Sequence, residues 1–206
     1  MAFSDYKNIG QAQREFSIKY REENFITPSQ LELSRVFLEE FEFNQANIDV
    51  FSSEGARAEA VIFPVLREVY KRYHEKYSLW IQKPIAFDDK LSGTPDYIVA
   101  TKSELGKTVL ETPLVMMTAA KRNDFEQGWG QCLAEMVAAQ KLNRDTDLPV
   151  YGVVTDGLLW QFGRLTNGTM VKNTAVGTVD EIPRLLGMLD FVFQSISGHI
   201  QFEQAG

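Results

Sequence analysis

Hydrophobic residues are most concentrated in the middle of the chain, where residues 114–121 are apolar at nearly every position until the segment ends on a lysine. Side chains alternate between the two faces of a strand. One face of this predicted strand is therefore lined by Val115, Met117, Ala119 and Lys121. The other face is apolar as well, which is typical of a central strand covered on both sides. The charge of Lys121 then needs either a polar cleft or a path along which its flexible side chain reaches solvent.

Helical spacing or strand-like alternation covers most of the remaining chain. The predicted helices cover residues 5–26, part of 31–43, 54–77, 124–142 and a last segment that begins at Thr178 or Asp180. The predicted strands cover residues 79–87, 97–101, 109–111 together with 114–121, 149–155, 158–165 and 169–172. Pro64 is expected to kink or split the helix over 54–77. A helix, three strands, a helix, further strands and a closing helix indicate an α/β fold around a mixed central sheet.

The pattern also suggests how the chain is divided. We expect residues 1–50 to form an N-terminal helical extension packed on the core, and residues 51–206 to form the domain that carries the chemistry. Ser34, and either Ser52 or Ser53, are suitable N-caps for helices in these two regions. A chain of 206 residues is long enough to bury a core of this kind.

The helix after the central strand has unusual residues in its first turns. Asp124 is a suitable N-cap. Gly128 and Gly130 each cost about 1 kcal/mol relative to alanine inside a helix, so we expect the backbone there to approach the sheet or a ligand closely. Gln127 and Gln131 lie four residues apart and share one helix face. They either serve a site or form a polar face in which they satisfy each other.

Composition narrows the classes of function. The chain is 44% hydrophobic and 24% charged, which is ordinary for a globular protein, and its net charge is −7. An acidic chain binds polyanions poorly in general, so contact with nucleic acid would depend on local basic patches or on metal ions. Cys132 is the single cysteine, which suits a reducing cytosol, and two histidines are too few to suggest a zinc site. We expect a cytoplasmic location without a membrane partner, since residues 185–196 are too few to span a bilayer and include Asp190.

The candidate chemistry lies on two neighbouring strands. Asp96 follows Pro95 at the start of the strand over 97–101, and Lys121 ends the central strand. Asp96, position 119 and Lys121 are expected to face the same side of the sheet. Asp96 could alternatively do no more than cap a turn.

This order of residues resembles the PD-(D/E)xK nuclease superfamily, in which a Pro-Asp pair, a strand and an acid-x-Lys triplet follow one another. Glu59 matches the acidic residue of that family's first core helix, and Gln127 and Gln131 resemble the glutamines of its next helix. Residues 155–162 look like the strand-turn-strand of nuclease domains of the type I restriction kind. The resemblance extends over residues 54–165.

The resemblance implies a restriction-endonuclease-like αβββαβ core and Mg²⁺-dependent hydrolysis of phosphodiester bonds, with Mn²⁺ as a substitute and DNA as the expected substrate. By analogy, Mg²⁺ would be held by Asp96, a carboxylate at 119 and the carbonyl oxygen of Ala120, with support from Glu59. Lys121 would position the attacking water or stabilise developing negative charge. Oxygen ligands of this kind are what Mg²⁺ prefers.

One departure from the family pattern stands out, because the chain has Ala119 where the family has a carboxylate. Either the chain is an inactivated variant of a nuclease, or it is a natural pseudo-nuclease that binds nucleic acid or a protein. In both cases we expect weak metal binding and little cleavage. A homodimer or a protein partner could help such an acidic chain to hold its substrate. An unrelated α/β protein with a chance match would be revealed by Asp96 and Lys121 lying far apart.

Overall fold

The computed structural model describes residues 2–121 and 124–204, with side chains described as far as residue 198. The α-helices are α1 (Ile9–Phe16), α2 (Arg35–Asn47), α3 (Glu54–Arg57), α4 (Phe63–Tyr70), α5 (Phe125–Asn143) and α6 (Ile182–Gln204). The strands are β1 (Lys19–Glu23), β2 (Tyr77–Ile81), β3 (Ile85–Ala86), β4 (Ser92–Gly93), β5 (Tyr97–Thr101), β6 (Leu114–Ala120), β7 (Val150–Thr155), β8 (Leu159–Thr166), β9 (Thr169–Asn173) and β10 (Gly177–Thr178). Short 3-10 turns cover Phe3–Asp5 and Val179–Glu181.

The centre of the molecule is a mixed sheet of eight strands within the described residues, in the order β1-β9-β8-β7-β6-β5-β2, with β10 pairing to β8. The pairs β1–β9 and β6–β7 are parallel, and the other neighbours are antiparallel. Helices α1 and α5 cover one face, and α2, α4 and α6 contribute to the core on the other. The predicted α/β class with a mixed central sheet is therefore confirmed.

Successive residues of β5 pack alternately in the two cores, which shows which face of the sheet each one occupies. Ile98 and Ala100 pack in the core beneath α5, whereas Tyr97 and Val99 pack in the core that includes α4 and α6. Asp96 precedes Tyr97, so the alternation directs it to the face covered by α5. The sheet thus brings the candidate aspartate to the same side as that helix.

The predicted central strand is confirmed over residues 114–120, but part of its face assignment is wrong. Leu114 packs on the α5 side, and both Val115 and Met116 pack on the other side. The register with β5 shifts between Val99 and Ala100, and such a bulge places two successive residues on one face. Beyond the bulge the predicted alternation holds.

The single helix predicted over residues 5–26 is also wrong. Helix α1 ends at Phe16 because Ser17 adopts a left-handed conformation, with φ of 56°. The chain then forms β1, which pairs with the outer side of β9. Residues 19–22 are exposed, so this edge strand lacks the apolar alternation by which a strand is found in a sequence.

The helix predicted over 54–77 is split, as Pro64 suggested, and it ends early at Tyr70. A π-helical turn, Ala58–Ile62, separates α3 from α4. Pro64 has no N–H to donate to the carbonyl oxygen of Ala60. That oxygen instead accepts a hydrogen bond of 3.1 Å from the side chain of Asn44 on α2.

Other boundaries differ locally. The strand predicted over 79–87 is interrupted at Gln82, whose φ is 47°, and at the following Lys83–Pro84 segment. Residues 109–111, predicted as strand, lie in the connection between β5 and β6. The predicted N-caps are confirmed, since Ser34, Ser53 and Asp124 each accept a backbone hydrogen bond at a helix start. None of the helices in residues 2–121 and 124–204 combines the length and the apolar character needed to cross a bilayer.

Candidate active site

Asp96 and Lys121 lie at neighbouring strand ends. Because β5 and β6 are antiparallel, the start of β5 lies beside the end of β6, with Tyr97 opposite Thr118. The backbone N–H of Lys121 donates a 2.9 Å hydrogen bond to the carbonyl oxygen of Thr155 at the end of β7. The three neighbouring strands β5, β6 and β7 therefore hold these two residues at the same end of the sheet, where β6 and β7 finish and β5 begins.

Asp96 is half-buried and is tied directly to the end of β6. Its Oδ2 accepts a hydrogen bond of 2.8 Å from the backbone N–H of Ala120. Burial raises the pKa of Asp96, and the charge of Glu54 acts in the same direction. The hydrogen bond from Ala120 and the charge of Lys121 oppose this rise in pKa without cancelling it. The pKa of Asp96 therefore depends on Lys121, as expected for charges that share a site.

A cleft of about 490 Å³ opens beside Asp96, whereas Lys121 lines a separate, smaller pocket. The lining of the cleft includes Ala58, Glu59, Phe63, Asp96, Tyr97 and Ala120. Glu59 is exposed and reaches the cleft from the π-helical turn. Burial, followed by the charges of Asp96 and Glu59, raises the pKa of Tyr97 to about 12. Glu59, Asp96 and Ala120, which were predicted as metal ligands, therefore share one cleft.

Ala119 is fully buried and packs in the core beneath α5, together with Met117 and Cys132. Position 119 lies on the face that the alternation assigns to Asp96. A side chain that extended from this position would point between the sheet and α5. The methyl group of alanine supplies no oxygen there.

Gln127 and Gln131 of helix α5 differ in how deeply they are buried. Gln127 is half-buried, whereas Gln131 is 6% exposed. The interpretation in which the two glutamines satisfy each other is wrong for Gln131, because its Nε2 donates a 2.8 Å hydrogen bond to Oε1 of Glu135. The partner of Gln131 is therefore one turn further along the helix.

Glu135 was missed in the sequence analysis, although the charges of Asp96 and Lys121 both act on it. It is completely buried, and burial raises its pKa to about 8. The hydrogen bond from Gln131 lowers that pKa, the charge of Asp96 raises it, and the charge of Lys121 lowers it. The signal in the sequence was a carboxylate four residues after Gln131 on an otherwise apolar helix face.

Both glycines of α5 mark close contacts, and the predicted approach to the sheet is confirmed at Gly128, whereas Gly130 contacts the N-terminal segment instead. A Cβ added at Gly128 would lie 2.5 Å from Cγ1 of Val154 and 3.4 Å from Cγ of Lys121. A Cβ added at Gly130 would lie 2.7 Å from the carbonyl oxygen of Tyr6. Gly128 thus lets α5 lie directly on the sheet beside Lys121, and Gly130 lets the N-terminal segment pack against the helix.

The ligand set predicted for Mg²⁺ does not fit as a whole. Ala119 offers no donor, Glu59 is exposed, and Oδ2 of Asp96 is already engaged by Ala120. Across residues 2–121 and 124–204, no group of three or more acidic, histidine or cysteine side chains is arranged to hold a metal ion. The cleft therefore contains Asp96 and Glu59 but lacks a carboxylate from position 119.

Comparison with models of known protein families gives no match, and no curated protein matches the chain significantly.

Proposed function

We propose that the chain has a restriction-endonuclease-like core and the site of a metal-dependent nuclease that lacks one of its carboxylates. The observation that supports this most directly is the position of Asp96 and Lys121 at adjacent strand ends, with position 119 buried between the sheet and α5. The cleft that Asp96 shares with Glu59 supports it further. The substrate class is a phosphodiester, with DNA as the first candidate.

In this proposal each residue has a defined task. Lys121 positions an attacking water or stabilises the negative charge that develops on the phosphate. Asp96 supplies the carboxylate of β5, and its hydrogen bond to Ala120 fixes its direction. Because position 119 supplies no anionic oxygen, the chain as it stands is expected to cleave little or no DNA.

The test is to restore the carboxylate with Ala119→Glu. We expect this variant to cleave DNA when Mg²⁺ or Mn²⁺ is present and to lose that activity in EDTA. The substrates are single- and double-stranded DNA and RNA, labelled at one end and resolved on gels. Ala119→Gln is the matched control, because it adds the same volume at a buried position without adding charge.

Two further variants connect the activity to the site. Cleavage by Ala119→Glu should be lost in Ala119→Glu/Lys121→Met and in Ala119→Glu/Asp96→Asn. Circular dichroism establishes that the variants are folded. A folded Ala119→Glu protein that cleaves none of the four substrates with either ion would count decisively against a nuclease.

A binding module without catalysis is the second candidate, and the absence of a carboxylate at position 119 favours it. An alanine that packs beneath α5 is compatible with a stable core in which no ligand is needed. In this case the chain itself binds DNA, measured by fluorescence anisotropy of labelled oligonucleotides, and Lys121→Met weakens the binding. Ala119→Glu would then leave the DNA intact, and a failure to bind any nucleic acid would leave a protein partner or a second copy of the chain as the alternative.

A further inference from the structure

Arg57 is a buried cation that makes few polar contacts with the rest of the chain. It is 5% exposed and lies at the end of α3. Within the described residues, its Nη1 donates one hydrogen bond, of 3.3 Å, to the carbonyl oxygen of Asp156, and its Cζ lies 5.6 Å from the centre of the Phe51 ring. Its Nε is buried and has no hydrogen-bond partner. Because an arginine carries five N–H donors and stays charged, most of its capacity to bind an acceptor is unused.

Arg67 shows what Arg57 lacks. It also lies against an aromatic ring, with its Cζ 5.7 Å from the centre of Phe63, and its Nε also has no hydrogen-bond partner. However, Nη2 of Arg67 lies 3.3 Å from a carboxylate oxygen of Glu40. The described polar contact of Arg57 is a carbonyl oxygen and not a carboxylate. Since a buried charge without a counter-charge is destabilising, we expect a ligand to supply the anion that balances Arg57.

A pocket of about 10 Å³ beside Arg57 has room for one oxygen atom, either of a water or of an anion. Lys121 contributes to the lining of this pocket, so two cationic residues border the same space. Ala120 lines both this pocket and the cleft that contains Asp96. The pocket therefore lies next to the cleft without being part of it.

Two acidic residues also line the pocket and limit its affinity for anions. Oδ1 of Asp156 accepts hydrogen bonds of 3.0 and 2.9 Å from the backbone N–H groups of Leu158 and Leu159, so this carboxylate is held in its own turn. Glu54 is exposed, and solvent weakens the effect of its charge. We therefore expect a single phosphate ion to bind weakly, and a phosphate within a longer strand to bind more tightly.

We propose that Arg57 binds a phosphate oxygen of the nucleic acid beside the cleft, through guanidinium N–H groups that the fold leaves unused. Arginine suits this task, because its planar group donates several hydrogen bonds to phosphate at once. Arg57 is then a positioning residue that holds the strand next to Asp96 and Lys121. The inference rests on the proposed function for the nature of the ligand, whereas binding of phosphate itself does not depend on cleavage.

The experiment measures the melting temperature of the full chain in inorganic phosphate and in chloride at equal ionic strength. The dependence on phosphate concentration gives the affinity, and variants separate the site from the general stabilising effect of phosphate. We expect Arg57→Met to weaken phosphate binding by about tenfold or more, as for the loss of a charge-assisted hydrogen bond. Without phosphate, this variant should melt at the same temperature as the chain or higher, because it removes a buried charge. Arg67→Met is the matched control, since Arg67 has a carboxylate partner within the chain.

A second measurement identifies the source of the phosphate. Fluorescence anisotropy of a labelled single-stranded DNA without terminal phosphates reports binding through internal phosphodiesters. We expect Arg57→Met to weaken this binding and Arg67→Met to leave it unchanged. Binding of inorganic phosphate without binding of DNA would retain the phosphate site, but it would overturn the role of Arg57 in holding a strand.

The remaining outcomes decide the proposal. An equal response to phosphate in the chain and in Arg57→Met overturns it, and so does an equal loss in Arg67→Met. A lower melting temperature of Arg57→Met with an unchanged response would assign Arg57 a purely structural role. If Arg57→Met does not fold, Arg57→Lys provides the comparison, because it keeps the charge and removes Nε, and its phosphate affinity should also fall. A folded Ala119→Glu variant that leaves DNA intact refutes the nuclease and not the phosphate site.

Discussion

The carboxylate of Asp96 accepts a 2.8 Å hydrogen bond from the backbone N–H of Ala120, which joins the start of β5 to the end of β6. Removing the acceptor leaves that N–H unpaired in a half-buried environment. We expect Asp96→Ala to lower the free energy of unfolding by about 1–3 kcal/mol. Asp96→Asn keeps a side-chain acceptor and removes the cost of a buried charge, so its stability should equal or exceed that of the parent. Urea denaturation at pH 7 measures both, and equal losses in the two variants would contradict a role for this hydrogen bond.

The buried carboxyl group of Glu135 makes the stability depend on pH. Its pKa in the folded chain is about 8, above the ordinary value of 4.5. Between pH 4.5 and pH 8 the folded state therefore keeps a proton on Glu135 that the unfolded state has released. The contribution of this proton to the free energy of unfolding is complete below pH 4.5. It is lost as the pH rises to 8, at up to about 1.4 kcal/mol per pH unit. We expect Glu135→Gln to reduce the fall in melting temperature between pH 5 and pH 8. Asp96, whose pKa is also raised, retains its own part of the slope.

The control for this pH dependence is Glu126→Gln, which should leave the slope unchanged because Glu126 is exposed. Melting curves recorded without divalent cations at several pH values provide the comparison. A slope that is identical in the parent and in Glu135→Gln would show that the carboxyl group does not remain protonated in the fold.

Gly128 is required by the contact between α5 and β7. A methyl group added there would lie 2.5 Å from Cγ1 of Val154, so we expect Gly128→Ala to destabilise the fold by about 1–3 kcal/mol despite the better helix propensity of alanine. Gly198 on α6 is a matched control, because no atom of the described part of the chain lies within 4 Å of a Cβ added there. Gly198→Ala should stabilise by about 0.5–1 kcal/mol. Chemical denaturation tests whether the two substitutions change the free energy of unfolding in opposite directions.

Cys132 is expected to be unreactive in the folded protein. Burial, together with the nearby charge of Glu135, raises the pKa of its thiol well above the ordinary value. Because the thiolate is the nucleophile, reaction with a disulfide reagent at pH 8 should be about 100-fold slower in the folded chain than in urea. Absorbance of the released chromophore follows the reaction, and rapid modification of the folded chain would show that α5 separates from the sheet readily.

The fold could be predicted where the sequence carries a long apolar segment. The buried strand over 114–120 and helix α5 have long apolar patterns, and Asp124 marks where the helix begins. Strand β1 could not be found, because it is mostly charged and exposed and its partner β9 is far away in the sequence. The bulge at Val115 depends on pairing with β5, which no local pattern encodes.

The site could be predicted in part for a similar reason. Asp96 and Lys121 are at strand ends, where order along the chain and antiparallel pairing bring them together. Glu135 was missed because its burial depends on how α5 lies on the sheet, and that orientation is set by contacts such as that of Gly128. Its burial and its hydrogen bond with Gln131 become visible only in the packed fold.

The charged strand β1 has one more consequence. It covers the outer side of β9, whose Met170 and Val171 are buried. Without it, an apolar strand would offer its unpaired backbone groups to any other molecule of the same kind. The exposed charges of Lys19, Arg21 and Glu22 therefore disfavour pairing of this edge with the sheet of another molecule.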